Sequence, residues 1–468
     1  MRKATKLYVL LGVLVVVCAA AFAVSHYEQK KEDIKNSGEV VLTIPTDSVT
    51  ALSWTNEDGT FAFTKGDDGW TYDDDSAFPV SGEKVEEMLA QFESFAAAFT
   101  IEGVDDYSQY GLSDPVCTVN ITAGDDSYTV TLGDFSKMDE QRYVSIGDGN
   151  AYLVANDPYD EFDAVLRDMI LDDSIPEFTT ATEIAFSGGE SYTLTRDEDK
   201  KSICADDLYF TGDKPVDTAN VSTLMSTLKT VELTNYVTYN LTDEESAAYG
   251  MDSPDLVTTV SYDIEDDDGT VTESGTVAYT LSSNVEELAA YDKAMEDGDD
   301  TLPDVTRYMR VGDSPIVYKI TETAYDKLTA VSYNELRHQK LFTADFAAVT
   351  SVDVTLDGST YTFTRTPAEK DGEDDVWTYN DEEFDVADLK SALTALSADT
   401  FDLDGVTAGQ TEIELTVNLD NEDFPSITLT LCRNDGSTCV AKVDGAAVAL
   451  IPRSQAVSLI EAVNALTL

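Results

Sequence analysis

Hydrophobic and polar residues alternate with period two over much of this chain, and three stretches repeat one longer pattern. Each has an alternating strand, a loop, a second aromatic strand and an amphipathic helix. The first is Thr60-FAFTKGDDGWTYDDDSAFPV followed by SGEKVEEMLAQFESFAAAF. The second is Ser191-YTLTRDEDKKSICADDLYFTGDKPV followed by DTANVSTLMSTLKTV, and the third is Thr360-YTFTRTPAEKDGEDDVWTYNDEEFDV followed by ADLKSALTALSADTF. Phe63, Leu194 and Phe363 correspond in the first strand, Lys65, Arg196 and Arg365 leave it, and Trp70, Leu208 and Trp377 open the second. The helices carry apolar stripes that read as core faces: Val85, Met88, Leu89, Phe92, Phe95 and Phe99; Val221, Leu224 and Leu228; and Val386, Leu389, Leu393 and Leu396.

The second halves correspond more loosely. Copy one continues YGLSDPVCTVNITAGDDSYTVTLGD from Tyr110, and copy two continues YGMDSPDLVTTVSYDI from Tyr249. Gly111 and Pro115 bracket a turn, with glycine free to take positive φ and proline fixing φ. Copy three lacks the Tyr-Gly-x-x-x-Pro element but keeps three strand-like runs. The pattern predicts an α+β fold of three tandem modules, each a mostly antiparallel twisted sheet with one face covered by amphipathic helices. The modules fall at residues 40–174, 175–342 and 343–468, with an acidic insertion at about 263–304 in the second and an anchor or signal segment plus linker at 1–39.

That opening segment has Arg2, Lys3 and Lys6, then an uncharged run from Leu7 to Val24. Eighteen helical residues would span about 27 Å, close to a hydrocarbon core of roughly 30 Å. The run reads as a single-pass signal-anchor, with Ala21-Phe22-Ala23 offering a cleavage site as the alternative. On that reading the bulk of the chain is extracytoplasmic, membrane-bound through 7–24, or secreted if the segment is cleaved.

Charge narrows the partners. Ninety-one acidic residues face 29 Lys and Arg, a formal net charge of −62. Without a basic patch to neutralise phosphates, nucleic acid is not an expected partner. The 42 % hydrophobic content argues against a disordered acidic chain.

Catalytic chemistry has little supply. The two histidines are His26, beside the apolar run, and His338, in an Arg-His-Gln-Lys stretch between copies two and three. Neither lies in a recognisable nucleophile–base motif, and a lone interdomain histidine reads as structural. No G-x-S-x-G elbow, Walker loop or H-E-x-x-H occurs. No catalytic or cofactor-binding residue is assigned, and no cofactor is expected beyond weak divalent cation association at acidic turns. The cation candidates are Asp73, Asp74 and Asp75; Asp266, Asp267 and Asp268; and Asp297, Asp299 and Asp300. None fits an EF-hand, because alignment on Gly269 puts the first ligand position at Ile264 and the twelfth at Gly275. In LCRNDGSTC, a turn at Asn434–Ser437 would set Cys432 opposite Cys439, giving either a bridge or two packed free thiols.

The pattern read at Tyr110, Gly111, Leu112, Pro115, Gly133, Tyr143, Tyr152, Leu153 and Val154, recurring at Tyr249, Gly250, Met251, Pro254, Tyr308 and Val317, resembles that of the bacterial domain-of-unknown-function family DUF4340. The resemblance implies an N-terminal membrane segment, repeated modules and an envelope-associated accessory role, and it carries over no catalytic residue. The leading expectation is therefore a non-enzymatic, membrane-tethered envelope protein that assists an ABC-type transporter or other surface complex. The alternatives are an extracellular array binding polysaccharide or another surface ligand through exposed Tyr and Trp, and a carboxylate-based hydrolase.

Overall fold

Each repeat folds into a broad antiparallel sheet whose first strand lies near the middle, because the chain leaves by a hairpin on one side and returns through a helix to the other. The structure is a computed structural model describing residues 38–368 and 375–467. In the first repeat the strands run, in spatial order, Gly69–Tyr72, Gly59–Gly66, Val49–Asn56, Cys117–Ala123, Asp126–Ser136, Gln141–Ser145, Ala151–Val154 and Phe99–Ile101. The second places Thr180–Gly188 between Tyr192–Arg196 and Leu256–Glu265, and the third places Val349–Leu356 between Ser359–Thr366 and Thr411–Leu419. Among the described residues the three large sheets have eight, nine and eight strands, Glu39–Leu42 and Phe95–Ala97 form a separate two-stranded sheet, and the fold is α+β.

The chain divides into two compact units. One holds the first sheet, up to Asp173, together with Thr238–Asn240; the other holds Ser174–Val237 and the chain from Leu241 onward, so the second and third sheets share a unit.

The repetition extends to a detail that the side-chain pattern leaves unmarked. All three first strands carry a register shift near their start, between Val49 and Ala51, Ala181 and Glu183, and Val349 and Ser351. The residue at the shift is threonine each time. Its hydroxyl donates to a carbonyl on the neighbouring strand: Thr50 to Thr122 at 3.5 Å, Thr182 to Ser261 at 3.1 Å and Thr350 to Asn418 at 3.2 Å. A bulge leaves one residue out of the ladder, and the threonine side chain spans the resulting gap.

Helices cover one face of each sheet. In the first repeat Val85, Met88 and Leu89 of the helix Gly82–Ala90 are buried, as are Trp54, Phe63 and Phe162. Trp54 stacks on Phe63 at 5.4 Å and donates through Nε1 to the Ala164 carbonyl at 3.0 Å. In the third repeat Leu389 and Leu393, together with Leu459 and Val463 of the closing helix Arg453–Thr467, join Val352, Leu415 and Leu429 in one core. The expected stripe through Phe99 is corrected here. The helix stops at Ala90, and Phe95 and Phe99 lie on the strands Phe95–Ala97 and Phe99–Ile101, with Phe95 buried and Phe99 exposed. A run of aromatics at helical spacing also suits short strands, and pairing of Phe95–Ala97 with Glu39–Leu42 decides it.

The Tyr-Gly-x-x-x-Pro elements are packing devices. Gly111 and Gly250 take φ of 70° and 73°. A Cβ on Gly111 would come within 2.7 Å of the Asp134 backbone nitrogen, and one on Gly250 within 2.7 Å of the Ser283 carbonyl. The preceding tyrosines pack alike, Tyr110 on Tyr143 at 4.9 Å and Tyr249 on Tyr308 at 4.8 Å. Arginines recur too: Arg142 lies over Tyr159 at 4.7 Å and Arg307 over Tyr325 at 4.4 Å.

Two expectations are corrected. The run 7–24 lies outside the described residues, and among those described no helix is long and apolar enough to cross a membrane. The longest, Arg453–Thr467, has 15 residues and reaches about 22 Å against a hydrocarbon core of roughly 30 Å. The membrane tether, the cell-membrane location and the transporter-accessory role that rested on it are accordingly withdrawn. Second, Cys432 and Cys439 do not stand opposite each other, and of the two alternatives left open they are buried free thiols. Cys432 pairs with Val440 and Arg433 with Cys439, a register one residue away from the expected one. Side chains alternate across a sheet, so this single step puts the two sulfurs on opposite faces.

Candidate functional site

Within the second repeat the loop joining Tyr192–Arg196 to Tyr209–Thr211 is longer than its counterpart in the first, where Asp67 and Asp68 alone separate the strands. Its neck is closed by the Asp197 N–H donating to the Leu208 carbonyl at 2.9 Å, and its return by the Asp207 N–H donating to the Cys204 carbonyl at 3.2 Å. This fold-back brings Cys204 and Asp207 to one place. Asp217, N-cap of the helix Thr218–Lys229, stands beside them, accepting from the Ala219 N–H at 2.9 Å.

His338 arrives from far along the chain. The short helix Tyr333–Leu336 starts at a Ser332–Glu335 capping box and is held to the second repeat by the Asp217 N–H on the Leu336 carbonyl at 2.9 Å. Beyond His338 the chain joins the third repeat, where the Gln339 carbonyl accepts from the Ala398 N–H and the Leu341 N–H donates to Leu396. The imidazole is thus fixed where the chain passes between the two sheets of this unit.

His338 Nε2 lies 2.6 Å from Asp207 Oδ1, and Nδ1 lies 3.3 Å from Asp217 Oδ2. The Asp207 side chain is 1 % exposed and that of His338 19 %. Asp207 Oδ2 accepts from Ser202 Oγ at 2.7 Å, so both oxygens of this buried carboxylate have partners. Burial works to lower the His338 pKa, but hydrogen bonds with Asp207 and Cys204 and the charges of Asp207 and Asp217 outweigh it and raise it to about 10. The ring is therefore an imidazolium at neutral pH, clamped between two carboxylates.

Cys204, Asp207 and His338 each turn one ligand atom into this space, all within 4.8 Å of one another, so a cluster capable of coordinating a divalent cation is present. A metal at neutral pH would have to displace the imidazolium proton held between His338 and Asp207. A cavity of about 230 Å³ adjoins, lined by Lys200, Lys201, Cys204 and Asp207 and by Asp423 and Phe424 of the third repeat.

The acidic runs expected to attract cations lie elsewhere and do not converge. Asp73 and Asp74 are exposed, and Asp74 accepts from the Tyr72 hydroxyl at 3.1 Å. Asp75 is held below the ordinary carboxylate range, first by the Ala77 N–H. Asp266 Oδ1 accepts from Asp268 N–H at 3.0 Å and Thr270 N–H at 2.8 Å, shaping a hairpin turn in which Asp267 and Asp268 are exposed. Asp297 pairs with Lys293 at 2.6 Å, while Asp299 and Asp300 follow the helix end in the open. Among the described residues, the Cys204–Asp207–His338 group is the one set of three His, Cys, Asp or Glu ligand atoms gathered closely enough for a metal ion. The sequence reading passed over it because Asp207 and His338 are 131 residues apart. The available signal was a scarce histidine at a repeat junction together with a loop insertion carrying a cysteine.

Fold and cluster together define a tandem array of three sheet-and-helix repeats with one polar cluster where the second passes into the third. The chain matches the family described as Domain of unknown function (DUF4340) over residues 70–254 and 211–421, and it belongs to that family. Each match begins near the end of one repeat's opening hairpin and finishes early in the next repeat's second half. No curated protein and no solved structure matches the chain.

Proposed function

We propose that the chain is a non-catalytic repeat array that binds a neutral, hydroxyl-rich polymer, a polysaccharide, across the uncovered faces of its sheets. The observation that carries this reading is a set of polar rows in cross-strand register on the face away from the helices. Thr60, Thr55, Thr118 and Thr131 form one row in the first sheet. Thr195, Glu183, Ser261 and Thr276 form one in the second, and Thr364, Ser351, Asn418 and Ser426 one in the third. Such rows offer both donors and acceptors at the spacing of adjacent strands, about 4.8 Å. A net charge of −62 disfavours anionic polymers.

Aromatic stacking is not the means of contact. Trp54, Trp70 and Trp377 are 0, 8 and 3 % exposed, and no described tyrosine is more than partly exposed. Each face would bind weakly by hydrogen bonds, and three faces on one chain would add avidity. Affinity electrophoresis of the full chain in gels containing neutral glucans, with an anionic polyuronate for comparison, tests this. Retardation by a neutral polymer, reduced by Thr55→Val with Thr118→Val, supports the reading. Migration unchanged in every neutral polysaccharide overturns it.

A further inference from the structure

We propose that Cys204, Asp207 and His338 form a zinc site with one coordination position open to the adjoining cleft. The inference is independent of the polysaccharide reading, since it uses none of the open-face residues. Thiolate, imidazole and carboxylate together are a donor set that suits zinc rather than calcium, which takes oxygen alone. The three ligand atoms lie within 4.8 Å of one another, and tetrahedral zinc with bonds near 2.0–2.3 Å would need its ligands roughly 3.5 Å apart. Reaching that spacing requires the His338 Nε2–Asp207 Oδ1 contact to open from 2.6 Å as the proton between them is displaced.

The outer partners are what separate this cluster from a chance meeting of polar groups. With Nε2 toward the metal and Asp207, the Nδ1 of His338 faces Asp217 at 3.3 Å. This is the carboxylate–histidine–metal arrangement that fixes the tautomer and orients the ring. Asp207 coordinates through Oδ1 while Ser202 holds Oδ2 at 2.7 Å. Asp217 is itself anchored as a helix N-cap. Three protein ligands leave a fourth position, and because Cys204 and Asp207 line the cavity of about 230 Å³, that position opens there.

The test uses the full chain after chelation, with Co²⁺ as spectroscopic probe and Zn²⁺ as competitor. One cobalt per chain is expected, with an intense near-ultraviolet thiolate charge-transfer band that Cys204→Ser removes. His338→Gln and Asp207→Asn should weaken zinc by at least about tenfold, and Asp217→Asn by about tenfold with the band retained. His26→Gln and the combined Asp73→Asn, Asp74→Asn and Asp75→Asn variant should bind as the parent does. A missing thiolate band, a band that survives Cys204→Ser, or zinc affinity unchanged by His338→Gln overturns the proposal. Should a ligand variant fail to fold, alkylation of Cys204 in the parent chain, located by mass spectrometry, still decides. Zinc must slow it, and an equal rate with and without zinc overturns the site. Added azide should shift the visible cobalt bands if the fourth position is open, and an unshifted spectrum overturns that part.

Discussion

The Thr350 hydroxyl donates to the Asn418 carbonyl at 3.2 Å across the bulge that starts the third sheet, as Thr182 donates to Ser261 at 3.1 Å in the second. The recurrence indicates that this contact belongs to the repeat rather than to one copy. Thr350→Val keeps shape and β-branching but removes the donor. It should lower unfolding free energy by about 1 kcal/mol, the usual net worth of one such bond. Chemical denaturation of variant and parent would measure it, and equal midpoints would show that water serves that carbonyl equally well.

Two glycines with nearly the same φ should respond differently to alanine. Gly111 at 70° would drive a Cβ into the Asp134 backbone, whereas Gly298 at 73° has nothing within 4 Å of that position. Gly298→Ala should cost about 1 kcal/mol from φ alone, and Gly111→Ala distinctly more, because backbone must move. Thermal unfolding of the two variants side by side checks the order.

Glu412 gives an acid-side pH dependence. Burial acts to raise its pKa, but hydrogen bonds and charges from Arg453 and Arg433 outweigh burial and leave it lowered from 4.5. A carboxyl with a depressed folded pKa contributes stability that is present above its unfolded value and lost as pH falls through the folded one. Glu412→Gln should therefore cost about 1–3 kcal/mol near neutrality, in line with a charged hydrogen-bonded pair. The gap between parent and variant should narrow as pH falls below the ordinary glutamate value and close once it has passed through the lowered folded one. Urea titrations across pH 3–7 would read that gap, and a constant difference would mean that Glu412 acts by packing alone.

The thiols should react in an order set by burial. Burial pushes Cys117 up to about 12 and Cys439 up to about 11, while Cys204 is half-buried beside a cavity. In native, metal-free protein at pH 8, Cys204 should be alkylated ahead of Cys117, Cys432 and Cys439, because it alone of the four is not buried and access limits the rate. Mass spectrometry of the labelled peptides gives the order. A Cys432–Cys439 bridge recovered from non-reduced protein would contradict the register Cys432–Val440.

Much of the architecture is local, which is why the chain announces it. Period-two alternation marks a strand with one buried face wherever it lies, and spacing such as Val221, Leu224, Leu228 marks a helix lying on a sheet. Three copies of that grammar, and glycines where positive φ is needed at 111 and 250, determine three sheet-and-helix repeats without long-range information. What crosses between distant segments is different in kind. A one-residue step in register sends Cys432 and Cys439 to opposite faces, yet either register satisfies the same alternation along each strand. The burial of every tryptophan follows from which sheet face the helices cover, which composition does not fix. The meeting of Asp207 and His338, 131 residues apart, depends on a loop folding back on itself and on where one repeat hands the chain to the next. Such contacts carry no periodic signal, because the pattern records how each residue meets its neighbours along the chain, whereas packing decides which distant side chains share a site.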